Sequence, residues 1–377
     1  MSEIADVLSA IESLARRGER MALATIVAVR GSTYRRPGAR LLVPEHGDLV
    51  GNISGGCLEG DVADVAKVVM VKGEPRIVSF DLTADDEAVW GWGLGCNGAI
   101  EVFVEPADKA AEVAGALRAA LEEERPISVV TVLASTAPGV ERGNRILVRP
   151  DGGTEGTLGD PALDRAATGA ALELLAAERS EVRTLPATAG EARAFVEVLE
   201  PPHRLVVCGA GHDAIPLVRS GAALGWRVVV VDDRKELLTQ ERFPEAHGFV
   251  CVDHPGKVAE EAPLDARTSV VVMTHNFLRD KEYLRSLLRT PVPYLGMLGP
   301  RARTDRLLQE LAGEGVEVTE ADRARIFGPA GLDIGSEGPE EIAHAIVAEI
   351  VAVRRRRPAG FLKDRPGPIH ERTPAAG

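Results

Sequence analysis

Glycine-rich segments that also carry arginines, hydroxyls and thiols are the parts of this 377-residue sequence that could do chemistry. The first, GSTYRRPG from Gly31 to Gly38, places Ser32 and Arg35 in a turn directly after a probable strand. Guanidinium groups bind phosphate through two parallel hydrogen bonds, and hydroxyl and glycine N–H donors can complete such a site. The segment is therefore either an anion-binding turn or a β-hairpin with solvated arginines.

Two thiols lie in glycine-flanked loops further along the chain. The sequence SGGC comprises Ser54, Gly55, Gly56 and Cys57 and precedes a probable helix, so the thiol is expected beside a helix N-terminus. Cys96 lies in a second glycine loop, GLGCNG. The two thiols could meet as a pair that handles sulfur or contacts a metal. We expect no structural zinc site, because the further close ligands that zinc needs are missing.

The remaining cysteines, Cys208 and Cys251, lie in or at the ends of apolar strands. We predict that both are inert core residues, since a free cysteine behaves as a small apolar side chain. The sequence has no CxxC pair. Reduced thiols are therefore expected instead of a disulfide framework.

A dinucleotide-type fingerprint follows the apolar strand that ends at Cys208. Gly209 and Gly211 belong to GAGHDA, which has the G-x-G-x-x-A form and opens onto a probable helix. The helix N-terminus favours an anion, and Asp232 ends the next strand, where an acid commonly accepts ribose hydroxyls. His212 is either a phosphate or pterin contact or a solvent-facing residue at the helix start. The same pattern also suits a Rossmann domain kept only as a scaffold.

Polar residues also follow two later strands of this region. Thr274 and His275 come after one strand, and Arg301 follows GMLGP after the next. Ligands of doubly wound sheets lie at the carboxyl ends of the strands. We therefore expect these side chains to face the same cleft, although a loop histidine could merely satisfy local backbone groups.

The elements that position these residues fall into two domains. Strands alternate with helices after Pro201–Pro202, which predicts βαβ units and a parallel sheet. The predicted fold class is α/β, with an N-terminal α/β domain over residues 1–200 and a Rossmann-like doubly wound sheet over 201–353. Residues 354–377 are basic and rich in proline and glycine, so a disordered tail is expected. No repeat of solenoid period is visible.

Composition excludes several function classes. The net charge is −13 and only 4% of residues are aromatic, which argues against nucleic-acid binding. Apolar runs are too short to span a bilayer, and the first residues lack the features of a secretory signal, so we expect a cytoplasmic protein without membrane insertion. The motifs of serine hydrolases, zincins and P-loop NTPases are absent from the sequence.

Taken together, the motifs resemble those of the XdhC/CoxI family, the accessory factors of xanthine dehydrogenase and carbon monoxide dehydrogenase. They run from about Ile4 to Val353 and read GSTYRRPGARLLV, GNISGGCLEGDV, WGLGCNG, VVCGAGHDAIPLV, VVVVDDR, MTHN, YLGMLGPRAR and GLDIGSEGPEEIA. The chain departs from the family at Pro300, where a small polar residue is common.

The resemblance implies a protein that binds molybdenum cofactor, as molybdopterin or its cytosine dinucleotide form, and delivers it in sulfurated form to the large subunit of a xanthine dehydrogenase-type molybdoenzyme. It also implies a cysteine desulfurase as partner and a homodimer. A maturation chaperone is expected rather than a catalyst. The alternative is an NAD(P)-dependent oxidoreductase that uses the fingerprint, and a third interpretation is a pure scaffold between desulfurase and client.

Overall fold

The computed structural model describes residues 3–81 and 97–366. The chain divides into two compact units, of which the first includes the residues up to Pro201 and the second is Pro202–Asp364. The loop with Cys96 therefore lies outside the described residues. No helix in the described ranges is both long and apolar enough to cross a membrane.

The first unit combines antiparallel sheets with amphipathic helices. Its helices within the described ranges are α1 (Glu3–Arg16), α2 (Glu59–Lys72), α3 (Ala107–Glu122) and α4 (Pro161–Ala176). Its strands are β1 (Met21–Ser32), β2 (Arg40–Pro44), β3 (Val50–Gly51), β4 (Arg76–Asp81), β5 (Asn97–Pro106), β6 (Ile127–Ser135), β7 (Arg145–Val148), β8 (Thr154–Thr157), β9 (Glu181–Pro186) and β10 (Glu191–Leu199). The three- and four-residue spacing of Val7, Leu8, Ile11 and Leu14 places them on one face of α1, and all four are buried.

These elements form the same substructure twice. One sheet has the order β3-β2-β1-β5-β4 and the other β8-β7-β6-β10-β9, and each is preceded by a helix and contains a helix between its third and fourth strands. We call residues 3–106 the first half and residues 107–201 the second half. The period of this duplication is about 105 residues, far longer than the periods of solenoid repeats.

The strand registers of the two halves agree residue by residue. In each half a threonine of the central strand lies opposite an arginine on one side and a phenylalanine on the other: Thr25 with Arg40 and Phe103, and Thr131 with Arg145 and Phe195. Each central pair of strands also has one irregularity, at corresponding places. The halves therefore share register as well as topology.

A buried polar centre joins the two halves. Arg40 Nη2 donates to Glu197 Oε2 at 2.6 Å, and the equivalent Arg145 pairs with Glu105. Each pair takes its arginine from one half and its carboxylate from the other, and all four side chains are at most 12% exposed. This reciprocity is the pattern of an interface between two like subunits, contained here within one chain.

A third pair, Glu101 with Arg193, occupies equivalent positions next to the two strand irregularities. Because the partners correspond to each other, they must lie near the approximate twofold axis that relates the halves. Identical residues could not form an ion pair there, so the two halves have diverged to become complementary.

The second unit is a doubly wound parallel sheet. Its strands are β11 (Arg204–Cys208), β12 (Arg227–Asp232), β13 (Gly248–Cys251), β14 (Thr268–Val272), β15 (Tyr294–Met297) and β16 (Ile326–Phe327), in the order β13-β12-β11-β14-β15-β16. Its helices are α5 (Ala214–Ala223), α6 (Val258–Glu261), α7 (Phe277–Leu287), α8 (Arg301–Gly313), α9 (Glu320–Arg325) and α10 (Pro339–Arg354). All of these strand pairs are parallel. The predicted α/β fold class is confirmed.

Valine-rich strands explain this architecture. Parallel strands covered by helices on both faces read as continuous apolar runs, and Val228–Val231 are buried throughout. The order reverses between β11 and β14, so the carboxyl ends of these two strands flank the topological switch point where ligands of such sheets bind. Residues 355–366 follow α10 and include a short 3₁₀ turn, Leu362–Asp364, while the rest of the predicted tail lies outside the described residues.

Candidate functional site

The arginine turn of the first half lines a cavity at the start of α1. Tyr34, Arg35 and Arg36 enclose, with Glu3, a volume of about 350 Å³. Pockets for small molecules usually measure about 300–1,000 Å³. Arg35 pairs with Glu3, whereas Arg36 is exposed and makes no ion pair with any described residue. One guanidinium is therefore fixed and another is available to an anion.

Glu3 and Tyr34 connect this turn to the loop that carries the thiol. The second oxygen of Glu3 accepts the N–H of Asn52 at 3.1 Å, and Asn52 Oδ1 accepts the N–H of Gly55 at 2.9 Å. A Cβ on Gly55 would lie only 3.3 Å from Tyr34 Cε1, so the ring packs against this glycine. The structure thus brings the Arg35 turn and the Ser54–Cys57 loop together.

The thiol loop is wrapped around the carboxylate of Glu59. Glu59 Oε1 accepts the N–H groups of Ile53 (3.2 Å) and Ser54 (2.9 Å), and Oε2 accepts those of Gly56 (3.0 Å) and Leu58 (3.2 Å) together with the Ser54 hydroxyl. Partial burial acts to raise the pKa of Glu59, but hydrogen bonds from Ser54 and from the backbone N–H groups of Glu59 and Ile53 together outweigh it, and the pKa lies below its usual value. The donors at the start of α2 are therefore taken up by a carboxylate.

Cys57 lies at the edge of this loop as a free, half-buried thiol. Its proposed partner Cys96 is outside the described residues, so the predicted meeting of the two thiols stays a prediction. Ser32 is the last residue of β1, and its side chain is not among those that the structure describes.

The second half contains the same loop without a thiol. Gly51 and Gly156 correspond, because both have φ near 90° (92° and 89°) and both lie against the carbonyl of the paired arginine. Counting on from them, Cys57 corresponds to Ala162. There Asp160 caps α4, and its Oδ1 accepts the N–H of Ala162 at 2.9 Å. The fold itself therefore requires neither the double glycine nor the cysteine.

In the second unit, the glycine loop lies between β11 and α5 at the switch point. Gly209 has φ of 118°, and a Cβ there would come within 2.8 Å of the Met273 carbonyl oxygen. Only glycine fits this close approach between the ends of β11 and β14. The fingerprint thus has the predicted strand, turn and helix context.

Asp232, at the end of β12, stabilises the glycine loop through hydrogen bonds. Its Oδ2 accepts the N–H of Ala210 at 2.7 Å and Arg234 Nη2 at 2.8 Å, and its Oδ1 accepts the N–H and Nε of Arg234 at 2.9 and 2.8 Å. Burial acts to raise the pKa of Asp232, but these bonds hold it at about 2. The side chain is only 2% exposed, so a ribose hydroxyl could reach it only if Arg234 moved away.

Asp213 and His275 meet across the crevice. His275 Nε2 lies 2.5 Å from Asp213 Oδ2, and His275 has φ of 60°, a conformation that a residue with a side chain rarely adopts. His212 is exposed. Within the described chain, the N–H groups of Gly211 and His212 donate no hydrogen bond to protein. The crevice therefore presents free donors beside a fixed carboxylate.

Thr274 and Arg303 donate hydrogen bonds to a buried carboxylate. Asp280, of which 2% of the side chain is exposed, accepts the Thr274 hydroxyl at 2.5 Å and Arg303 Nη2 at 2.7 Å. Arg301, at the start of α8, is 83% exposed and has only a distant partner, Asp305, at 3.9 Å. Of the two arginines in this segment, only Arg301 is available to an external anion.

The other cysteines differ from each other in burial. Cys208 is fully buried, and burial raises its pKa, which fits the predicted inert core thiol. The prediction for Cys251 is wrong: it is exposed, because β13 is an edge strand of the sheet. Among the described residues, no group of three or more His, Cys, Asp or Glu side chains could hold a metal ion.

Sequence reasoning missed three carboxylates that shape these sites: Glu3, Glu59 and Asp213. The signal for Glu59 was its place three residues after Gly56 at a helix start, the spacing of a capping box. The signal for Asp213 was an acid inside a loop expected to bind phosphate. No local pattern points to Glu3, which reaches the site only through the packing of α1.

Comparison with known proteins assigns both units. The model described as XdhC and CoxI family matches residues 14–81 and again 120–186, one segment in each half of the first unit. The model described as XdhC Rossmann domain matches residues 205–350. The separate matches of one model to two segments support the duplication seen in the fold.

Individual relatives extend over nearly the whole chain. A Bacillus subtilis protein, named as a probable subunit of xanthine dehydrogenase, is 30% identical over 92% of this chain and 97% of its own. The molybdenum cofactor insertion chaperone PaoD of Escherichia coli is 23% identical over 92% and 86%. A crystal structure described as a xanthine dehydrogenase from Bacillus halodurans has a TM-score of 0.74 at 31% identity and covers 97% of this chain and 98% of that one. The chain belongs to the XdhC and CoxI family.

Proposed function

We propose that this protein is an accessory factor that binds molybdenum cofactor and assists its sulfuration and its insertion into a xanthine dehydrogenase-type molybdoenzyme. The observation that carries the proposal is its similarity, over 92% of the chain, to a protein named as a molybdenum cofactor insertion chaperone. In this scheme the cofactor is cargo, and the protein holds it and passes it on.

The first half offers suitable groups for such a cargo. Molybdopterin carries a phosphate, and Arg35 and exposed Arg36 border a cavity of sufficient volume, in the turn that Ser32 precedes. The metal of molybdenum cofactor is bound by sulfur ligands, and Cys57 is a half-buried thiol in the adjoining loop. The two segments touch through Tyr34 and Gly55, and Cys57 lies outside the cavity lining. A ligand that extends from the Arg35 turn into the adjoining loop would therefore take phosphate contacts from the turn and a thiol contact from Cys57.

The restriction of the thiol loop to one half supports a role for that loop in this function. Ser54, Gly55, Gly56 and Cys57 replace a capped helix start that folds well in the second half.

In the second unit, the candidate contacts for molybdopterin, which has no pyrophosphate, or for the client are Gly209, Gly211, His212, Thr274, His275 and Arg301. Arg301 is the most accessible cation of this set. Asp232 enters the proposal as the residue that shapes the glycine loop. A nucleotide at this fingerprint is the alternative, in which the protein acts as an NAD(P)-dependent oxidoreductase.

The proposed partners are the large subunit of the molybdoenzyme, a cysteine desulfurase and a second copy of this chain. Light scattering on the purified protein tests the homodimer. Co-purification under anaerobic conditions tests the two enzyme partners.

The experiment that tests the function loads the purified full chain with molybdenum cofactor anaerobically. Bound cofactor is measured by metal analysis and by the fluorescence of the oxidised pterin, and the activation of an apo-molybdoenzyme is followed. We expect binding and activation by the wild type, and reduced retention in Arg36→Gln. Arg165→Gln, an exposed arginine on α4, is the matched control and should behave as wild type. Absence of both binding and activation would refute the proposal.

A further inference from the structure

A carboxylate lies against the second glycine of the glycine loop. In G-x-G-x-x-A loops the second glycine lacks a Cβ so that the pyrophosphate can approach the backbone. Here that glycine is Gly211, and a Cβ built on it would lie 2.7 Å from Asp213 Oδ1 and 4.0 Å from His275 Cδ2. The face of Gly211 that should receive phosphate is therefore covered by Asp213.

The Asp213 carboxylate is held in this place. Its other oxygen, Oδ2, lies 2.5 Å from His275 Nε2, and its side chain is 23% exposed. His275 reaches it from the far side of the switch point with φ of 60°. Backbone strain at a ligand crevice persists only where the surrounding structure enforces it.

The carboxylates at the end of β12, which would accept the ribose hydroxyls of a dinucleotide, already have partners within the protein. Asp232 uses both oxygens on Ala210 and Arg234, and the next acid, Asp233, pairs with Arg279 at 3.1 Å. No carboxylate at the end of β12 is thus left to accept the ribose hydroxyls without rearrangement. Arg242, a guanidinium at the loop, donates to the carbonyl of Ala210 at 3.1 Å.

We propose that Asp213, positioned by His275, excludes dinucleotide pyrophosphates from this crevice, so that the Rossmann unit does not take NAD(H) or NADP(H). A carboxylate in contact with a pyrophosphate juxtaposes like charges, which weakens binding by at least about 100-fold. Asp213 is then a specificity-determining residue of the second unit. The inference is independent of cofactor binding by the first unit and goes beyond the proposed function.

The test is a gain of binding in the full chain. NADH and NADPH are titrated against wild type, Asp213→Ala and Asp213→Asn, with nucleotide fluorescence and calorimetry as readouts. We expect a Kd above about 1 mM for wild type and binding at least about 100-fold tighter in both variants. Asp233→Asn is the matched control, because it removes a neighbouring acid that does not cover Gly211, and it should bind as weakly as wild type.

Three outcomes would overturn the proposal: wild type that binds either nucleotide with a Kd near or below about 10 μM, Asp213 variants that bind no more tightly than wild type, or an equal gain in the Asp233→Asn control. Circular dichroism confirms that each variant is folded. If Asp213→Ala fails to fold, the isosteric Asp213→Asn decides the result. Molybdenum cofactor retention is measured on the same samples, so failure of the proposed function is seen separately.

Discussion

Removing one carboxylate from the buried centre of the first unit should destabilise that unit strongly. The pair of Arg40 with Glu197 is the better defined of the two reciprocal pairs, with an Nη2–Oε2 distance of 2.6 Å and side chains 9% and 6% exposed. Glu197→Gln keeps the shape of the side chain and removes its charge. Arg40 then loses its own counter-ion inside the buried centre.

The expected loss is about 3–5 kcal/mol in the free energy of unfolding, the usual consequence of breaking a buried ion pair from one side. For a unit of about 200 residues, that corresponds to a fall in Tm of roughly 6–20 °C. Because Glu105 is the equivalent residue of the other half, Glu105→Gln should cost a similar amount.

Hydrogen exchange followed by mass spectrometry measures this loss in the full chain. The amides of β1 and β6 are central in their sheets and report the global opening of the first unit. Glu45→Gln breaks the exposed pair with Arg20 and is the control, which should not change their exchange measurably. A loss below about 1 kcal/mol in Glu197→Gln would show that the two halves are not joined through desolvated ion pairs.

Three further perturbations follow from individual contacts. Cys57→Ala should leave Tm unchanged, because Ala162 fills the equivalent position of the second half, but it should reduce cofactor delivery. A thermal scan measures the first effect and the activation assay the second. A large loss of Tm would contradict the correspondence of Cys57 with Ala162. Burial, reinforced by nearby arginines, lowers the pKa of His203 from 6.5 to about 3. As the pH falls, His203 is therefore protonated in the unfolded state before it is protonated in the folded state. The second unit should lose about 1.4 kcal/mol of stability per pH unit below about pH 6. Urea unfolding at several pH values should show this slope in wild type and a smaller one in His203→Gln; equal slopes would refute the assignment. Gly209→Ala should destabilise the second unit by at least about 1 kcal/mol, since the Cβ of the alanine would clash with the Met273 carbonyl oxygen. Unchanged urea unfolding would contradict this, because it would mean that the glycine loop shifts to accommodate the Cβ.

The second unit was largely predictable from sequence. Buried parallel strands appear as runs such as Val228–Val231, and their alternation with helices fixes the sheet type. The prediction for Cys251 failed because an apolar run does not show whether a strand lies at the centre or the edge of its sheet.

The first unit and the details of both sites were less accessible. The duplication depends on register, and the halves keep only scattered matches such as Arg40 with Arg145 and Thr25 with Thr131. Whether Asp213 covers Gly211 depends on a side-chain conformation that His275 sets from a distant segment. Motifs identify the residues of a site, but contacts between segments decide which of those residues remain free.

The central claim is that the thiol loop and arginine turn of the first half hold molybdenum cofactor for delivery. Its most direct test is anaerobic quantification of molybdenum and pterin on the wild type and on the double variant Arg36→Gln, Cys57→Ala, both challenged with an apo-molybdoenzyme. We expect retention and activation by the wild type and loss of both in the double variant. Equal retention and activation by the two proteins would contradict the claim.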